Sequence, residues 1–168
     1  MERLWAPWRM AYITAASGEQ GVQECIFCSF PAAGAARFDE HQILYCSERA
    51  FVIMNRYPYG SGHVMVVPRH HGADLMALSA EDYQATCELL RRSVAIVVRE
   101  LKAHGCNVGM NLGRVAGAGI DQHLHFHIVP RWNGDTNFMP VVGDVKVLSE
   151  HLDATYHKLK PAFAELRL

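Results

Sequence analysis

The sequence predicts an α+β fold: a mostly antiparallel sheet of about five strands, with one long helix and one C-terminal helix. Three observations predict it. Apolar runs separated by turn residues come first, at Ile43–Cys46, Phe51–Asn55 and His63–Val67. A long stretch of helical periodicity follows, and two more strand-like runs, Cys106–Asn111 and His123–Val129, come after it. Strands grouped on either side of one long helix do not build a doubly wound parallel sheet.

Half of the 168 residues are apolar and 20% are charged, which suits one globular unit with a buried core. The chain reads as a single domain over 1–168, with 1–24 as an N-terminal arm and 145–168 as a C-terminal helical extension. A formal net charge of −1 supplies no global field to draw in a nucleic-acid polymer or an anionic membrane. A small anionic ligand held by local donors remains compatible. The N-terminus lacks an apolar run of signal-peptide length and no later run approaches a membrane span, so a cytoplasmic setting is expected. Five cysteines, an odd number, fit a closed disulfide framework poorly. Cys46, Cys87 and Cys106 lie among apolar neighbours and are expected as small buried hydrophobes.

Element by element, Pro31 to Ala36 reads as a Pro/Gly/Ala surface loop. The first three strands form a meander, with Tyr57-Pro58-Tyr59-Gly60-Ser61-Gly62 as turn chemistry before the third. Ser79 opens the long helix, and Asp82 three residues on makes a weak capping box. Tyr83, Cys87, Leu90, Val94, Val97 and Leu101 step by three and four, so this stripe is expected to face the sheet. Gly105 is a natural stop. A glycine-rich segment, Gly113-Arg114-Val115-Ala116-Gly117-Ala118-Gly119, joins the last two strands. The final helix is expected over Val147 to Leu159, with Pro161 ending or kinking it.

The segment Gln122-His123-Leu124-His125-Phe126-His127-Ile128-Val129-Pro130 alternates imidazoles with apolar residues. On a strand the three histidines share one face, spaced about 6.5–7 Å apart, and Pro130 ends the pairing. Two chemistries suit such a row. One metal ion can take all three imidazoles, or the central imidazole can act as a nucleophile on a phosphate while its neighbours manage charge and leaving group. The adjacent glycine loop favours the second, because glycines let backbone N–H groups converge on an anion. Arg114 and Arg131 are candidate phosphate contacts. Trp5, Trp8 and Trp132 suit either a nucleobase platform or ordinary packing. Cys25-Ile26-Phe27-Cys28 has zinc-ligand spacing but is only half a structural site, and no thioredoxin-like pattern surrounds it.

His123 through Val129 resembles the signature of the histidine-triad (HIT) family, His-φ-His-φ-His-φ-φ with φ apolar, at every position. The likeness extends to Phe51–Pro58, to Gly62–Pro68 with its additional His63, and to the Cys-X-X-Cys pair. Leu4-Trp5-Ala6-Pro7-Trp8-Arg9 and Pro130–Phe138 are similar to bacterial diadenosine tetraphosphate phosphorylase-like members. The resemblance implies a HIT-like fold that pairs as a homodimer and cleaves or exchanges groups at a nucleotide α-phosphate. It implies His125 as the nucleophile that forms a nucleotidyl-histidine. His127 would then bond the phosphate or leaving group, His123 would orient the site, and His63 would lie near the same phosphate.

For substrate contacts the resemblance implies Asn55 at the ribose and Ile53 and Met65 at the base. Asn111 and the backbone of Gly117, Ala118 and Gly119 would hold phosphate oxygens. It also implies a structural zinc on Cys25, Cys28, His71 and His123, with adjacent His70 as the rival for His71, and no organic cofactor. Many hydrolase and phosphoramidase members carry Gln-Ser or Gln-Thr in the loop, where this chain has Ala118-Gly119. Three functions stay open at this point: a dinucleoside polyphosphate phosphorylase or hydrolase, or a nucleoside phosphoramidase; a purine-nucleotide-binding sensor or interaction protein with incidental activity; and a metal enzyme using the triad as ligands.

Overall fold

The computed structural model describes residues 25–143 and 150–167. The expected N-terminal arm, Trp5, Trp8 and the first residues of the expected final helix lie outside them. The elements are helix α1 (Ile26–Ala32), short helix α2 (Phe38–His41), and strands β1 (Ile43–Cys46), β2 (Ala50–Met54) and β3 (Val64–Pro68). Helix α3 (Ala80–Leu101), β4 (Gly105–Met110), β5 (Phe126–Arg131), a short α4 (Met139–Val142) and α5 (Leu152–Ala164) follow. The strands form one antiparallel sheet in the order β1-β2-β3-β5-β4.

Alternation sorts the sheet's side chains onto two faces. Leu44, Val52, Met54, Val64, Val66 and Ile128 face α3 and α5, where Leu89, Ile96, Val97, Tyr156, Leu159 and Phe163 complete the main core. The opposite face carries Ile43, Phe51, Ile53, Met65 and Val67 beneath Phe27 of α1. His127 belongs to this second face, because the register aligns Ile53, Met65, His127 and Gly109 in one row across four strands.

Four expectations are corrected by the packing. The three histidines do not share a regular strand: β5 begins at Phe126, and the Leu124 amide donates to the Gly72 carbonyl (2.8 Å) instead of a ladder partner. Pro130 does not end β5. β3 pairs with β5 only as far as Ile128, so the missing proline N–H leaves no ladder broken on that side. The buried row of α3 is Thr86, Leu89, Ser93, Ile96, Val97 and Leu101, which leaves Tyr83 exposed and Leu90 and Val94 on the flank. Thr86 and Ser93 are fully buried in that row, and the Thr86 hydroxyl donates to the Asp82 carbonyl (2.7 Å). Cys46, Cys87 and Cys106 are half-buried, on strand ends and a helix flank.

The remaining local signals divide: the serine cap holds, while the expected stop at Gly105, the expected end or kink at Pro161 and the expected loop from Pro31 are each displaced. The Ser79 hydroxyl accepts from the Asp82 amide (3.1 Å) and caps α3. That helix ends before Gly105, at Lys102, which adopts the left-handed conformation. Pro161 lies inside α5, and residues 26–32 form a helix that overlaps the expected loop. The Trp132 indole donates to the Leu101 and Lys102 carbonyls (3.3 and 3.1 Å), so it seals the end of α3.

Candidate active site

The second face of the sheet brings His125, His127 and His63 together. His125 and His127 have ring centroids 4.9 Å apart, and His63 and His127 are 5.0 Å apart. His123 is adjacent in sequence but faces a different group of side chains.

Hydrogen bonds assign the tautomers. His125 Nδ1 lies 2.8 Å from the His123 carbonyl, which can only accept, so Nδ1 carries the proton and Nε2 the lone pair. The Tyr59 amide donates to His63 Nδ1 (3.0 Å), which leaves the His63 proton on Nε2. That Nε2–H then donates to His127 Nδ1 (2.9 Å), so His127 is protonated on Nε2. This last N–H is buried and has no partner among the described residues. A buried donor without a partner is costly and marks a place where a ligand oxygen is wanted.

Burial also favours the neutral forms of His125 and His127. It holds His127 down to about 4, with His125 acting in the same direction. Burial lowers His125 too, against the opposing pull of its bond to the His123 carbonyl. A neutral imidazole with its lone pair on Nε2 therefore stands beside an N–H donor.

His123 has a separate setting. Its Nε2 donates to the Pro68 carbonyl (2.8 Å), which directs the Nδ1 lone pair toward Cys25 Sγ (3.4 Å), Cys28 Sγ (3.7 Å) and His71 Nδ1 (3.3 Å). Cys28 Sγ lies 3.3 Å from His71 Nδ1, and the four donor atoms all lie within 4.8 Å of one another. Tetrahedral ligands at usual zinc bond lengths stand about 3.3–3.8 Å apart, so this donor set fits such a cation. His71, not His70, belongs to the group. The triad histidines do not form a metal-ligand group of their own among the described residues.

The remaining predicted residues divide. The Asn55 amide nitrogen lies 3.4 Å from the His63 ring, while its oxygen accepts from the Tyr57 amide (2.9 Å). Ile53 and Met65 sit in the row beside His127 but are 3% and 8% exposed, so they form its floor. In the glycine loop, the Gly117 and Ala118 amides donate to the Arg114 and Gly113 carbonyls (2.9 and 3.3 Å). Asn111 donates to the Gly117 carbonyl (3.3 Å). Among the three amides expected for phosphate, Gly119 is the one not tied up inside the loop.

Neither predicted arginine is turned to the histidines. Arg114 pairs with Asp121 (2.6 Å), and Arg131 pairs with Asp135 (2.6 Å) at the far end of β5. Two contributors were missed by sequence reasoning. Tyr59 sets the His63 tautomer through its backbone and lays its ring 4.8 Å from His63 and 5.7 Å from His127. Phe27 packs its ring 5.2 Å from His125. A tyrosine in a turn and a phenylalanine between two cysteines carry no pattern that predicts such contacts.

The HIT domain family model matches residues 37–134, more than half of the chain. This chain belongs to the HIT family. An AP-4-A phosphorylase of Mycobacterium tuberculosis is 31% identical over 166 residues, covering 98% of this chain and 85% of that protein. A bis(5'-adenosyl)-triphosphatase of Saccharomyces cerevisiae is 33% identical over 95 residues, 54% of this chain and 44% of that protein. Among solved structures, a Zn-bound histidine triad family protein from Mycobacterium smegmatis superposes with a TM-score of 0.67 at 27% identity, covering 86% of this chain and 96% of that one. A hypothetical histidine triad nucleotide-binding protein from Sulfolobus tokodaii gives 0.65 at 26% identity, covering 84% and 90%. These HIT proteins share the α+β architecture expected here.

Proposed function

We propose that the chain cleaves dinucleoside polyphosphates, diadenosine tetraphosphate first among them, by phosphorolysis or hydrolysis at the α-phosphate. The observation that carries the reading is that a His125 Nε2 lone pair stands beside the buried His127 Nε2–H, which has no partner among the described residues. The named activities of the mycobacterial and yeast relatives support the same substrate class.

In this reading, His125 Nε2 attacks the α-phosphorus while the P–O bond to the departing nucleotide breaks, and the leaving oxygen takes the electron pair. His127 Nε2–H hydrogen-bonds that oxygen as its charge develops, which is where a fixed donor helps most. The new N–P bond leaves the imidazole cationic, and the His123 carbonyl on Nδ1–H stabilises that charge. Water, which releases a proton to solvent, or orthophosphate then attacks phosphorus from the side opposite His125, and the N–P electrons return to its Nε2. Two displacements replace one difficult step. The Gly119 amide and Asn111 are the supporting donors, with Asn55 at the ribose.

Cys25, Cys28, His71 and His123 fit zinc, which would act structurally by holding the turn that precedes β5. The Zn-bound relative supports that identity. A homodimer in a cytoplasmic setting completes the reading. Purified protein incubated with diadenosine tetraphosphate, with and without orthophosphate, tests it. ADP plus ATP formed only with phosphate means phosphorolysis, and AMP plus ATP without phosphate means hydrolysis. Tight nucleotide binding with neither set of products would instead establish a sensor.

A further inference from the structure

The Cys25-Ile26-Phe27-Cys28 segment does more than offer two thiols. Cys25 is the N-cap of α1, and its carbonyl accepts from the Cys28 and Ser29 amides (2.9 and 3.0 Å). Both sulfurs face the His71–His123 group from this turn. Phe27, between them, is fully buried. Its ring centroid lies 5.5 Å from that of His123, at 81°, and 5.2 Å from that of His125, at 53°. It also meets Phe51 edge-on at 6.2 Å.

The His125 ring is therefore held in three places: by the His123 carbonyl at Nδ1, by Phe27, and by the His127 ring at 4.9 Å. Two of the three lead back to the Cys/His group. His123 is a member of it, and Phe27 is flanked by two members. Helix α1 has only 7 residues, too few to persist alone, so its packing decides where it sits: the two sulfurs and Phe27 on the histidine side, with buried Pro31 and the Phe30 ring stacked on His41 (4.1 Å) securing its other end. An imidazole that rotates about its Cβ–Cγ bond loses the Nδ1–H bond and turns Nε2 away from its target. Phe27 blocks that rotation sterically.

We propose that Phe27 is a positioning residue for His125 and couples the Cys25/Cys28/His71/His123 group to the orientation of the nucleophile's ring. The proposal rests on the reading of His125 as the nucleophile. It concerns an interaction inside the protein, so it can be tested apart from that reading.

Phe27→Leu keeps most of the apolar volume and Phe27→Ala removes it. For each variant, zinc content and melting temperature are measured first. The Kd for a non-hydrolysable dinucleoside tetraphosphate, kcat and KM follow, and NMR records the exchange of the His125 Nδ1 proton with water. Phe27→Leu is expected to retain full zinc and a Kd within about threefold, while kcat falls about tenfold. Phe27→Ala is expected to lose about 100-fold in kcat, the scale of a misplaced reacting group. The Nδ1 proton, bonded to the His123 carbonyl, is expected to be protected in the parent and exchangeable in both variants; a proton that already exchanges freely in the parent would overturn the proposal. Stripping the metal from the intact parent protein is expected to expose the same proton.

If Phe27→Ala does not fold, Phe27→Leu decides the matter. Parent kcat with a protected proton in the leucine variant would overturn the proposal, as would a loss confined to KM and Kd. Chelation that strips the metal and leaves the proton protected would overturn the coupling to the Cys/His group. Should the parent form no nucleotidyl-enzyme, the reading of His125 as nucleophile fails, and proton exchange still decides whether Phe27 orients the ring.

Discussion

At the scale of single residues, three imidazoles that look equivalent in sequence are separated by what their nitrogens touch. A carbonyl on Nδ1 leaves His125 its lone pair on Nε2, and His63 leaves His127 a donor. The His123 lone pair instead faces two thiols and His71. His125→Ala is accordingly expected to abolish turnover while nucleotide binding, measured calorimetrically, survives. Turnover persisting in that variant would remove His125 from the chemistry. A second expectation concerns pH. His127 is held to about 4 against an ordinary 6.5, so between these values the unfolded chain binds the proton that the folded one refuses. The contribution of His127 to stability is complete above pH 6.5 and is lost as pH falls toward 4. Urea unfolding across that interval should show a decline that is shallower in His127→Gln, and equal slopes for the two proteins would refute the assignment. The candidate residues were legible because histidine is a rare strand filler. Their division of labour was not, because it depends on the carbonyls of His123 and Pro68 and the amide of Tyr59, and backbone groups are the same in every sequence.

At the scale of elements, legibility followed the strength of the local pattern. The sheet strands were readable from short apolar runs, and the start of α3 from a serine cap. Its buried face was not, because Thr86 and Ser93 occupy core positions that apolar periodicity overlooks. Helix α1 escaped notice for a similar reason: long-range packing of Phe27 and the facing of its thiols toward distant histidines position it, and Pro31 argues locally against a helix. The turn before β3 shows how closely the elements meet. Gly62 has φ of +77°, and a Cβ there would clash with Leu101 Cδ1 at the end of α3 and stand 3.1 Å from Pro130 Cγ. Gly62→Ala combines backbone strain with a clash against a buried side chain, and is expected to cost about 1–3 kcal/mol. Because His63 follows directly, nucleotide affinity should fall in the same variant. Unchanged urea stability would show that the turn relaxes freely.

At the scale of the whole molecule, the sheet ends in two edge strands, β1 and β4, and of these β4 is the more exposed. β5 is paired on both sides, but β4 pairs only with β5, so a row of its backbone donors and acceptors faces outward. Long exposed edges invite pairing with another chain, and soluble proteins usually charge, bend or cover them. β4 reads Gly-Cys-Asn-Val-Gly-Met and carries no charge. Val108 is 47% exposed, and Leu112, just beyond the strand, is 48% exposed. A second copy brought in antiparallel by a two-fold axis would satisfy both edges at once and extend the sheet across the pair. The consequence reaches the active site, because β4 leads into the glycine loop and aligns Gly109 with His127. Val108→Lys places a charge in the middle of that edge and is expected to give monomers by sedimentation equilibrium at micromolar concentration, with the parent chain sedimenting at twice the mass. If the interface also steadies the loop, the monomer should show a raised KM along with its halved mass. A parent chain that sediments as a monomer, or a lysine variant that stays dimeric, would move the interface away from β4.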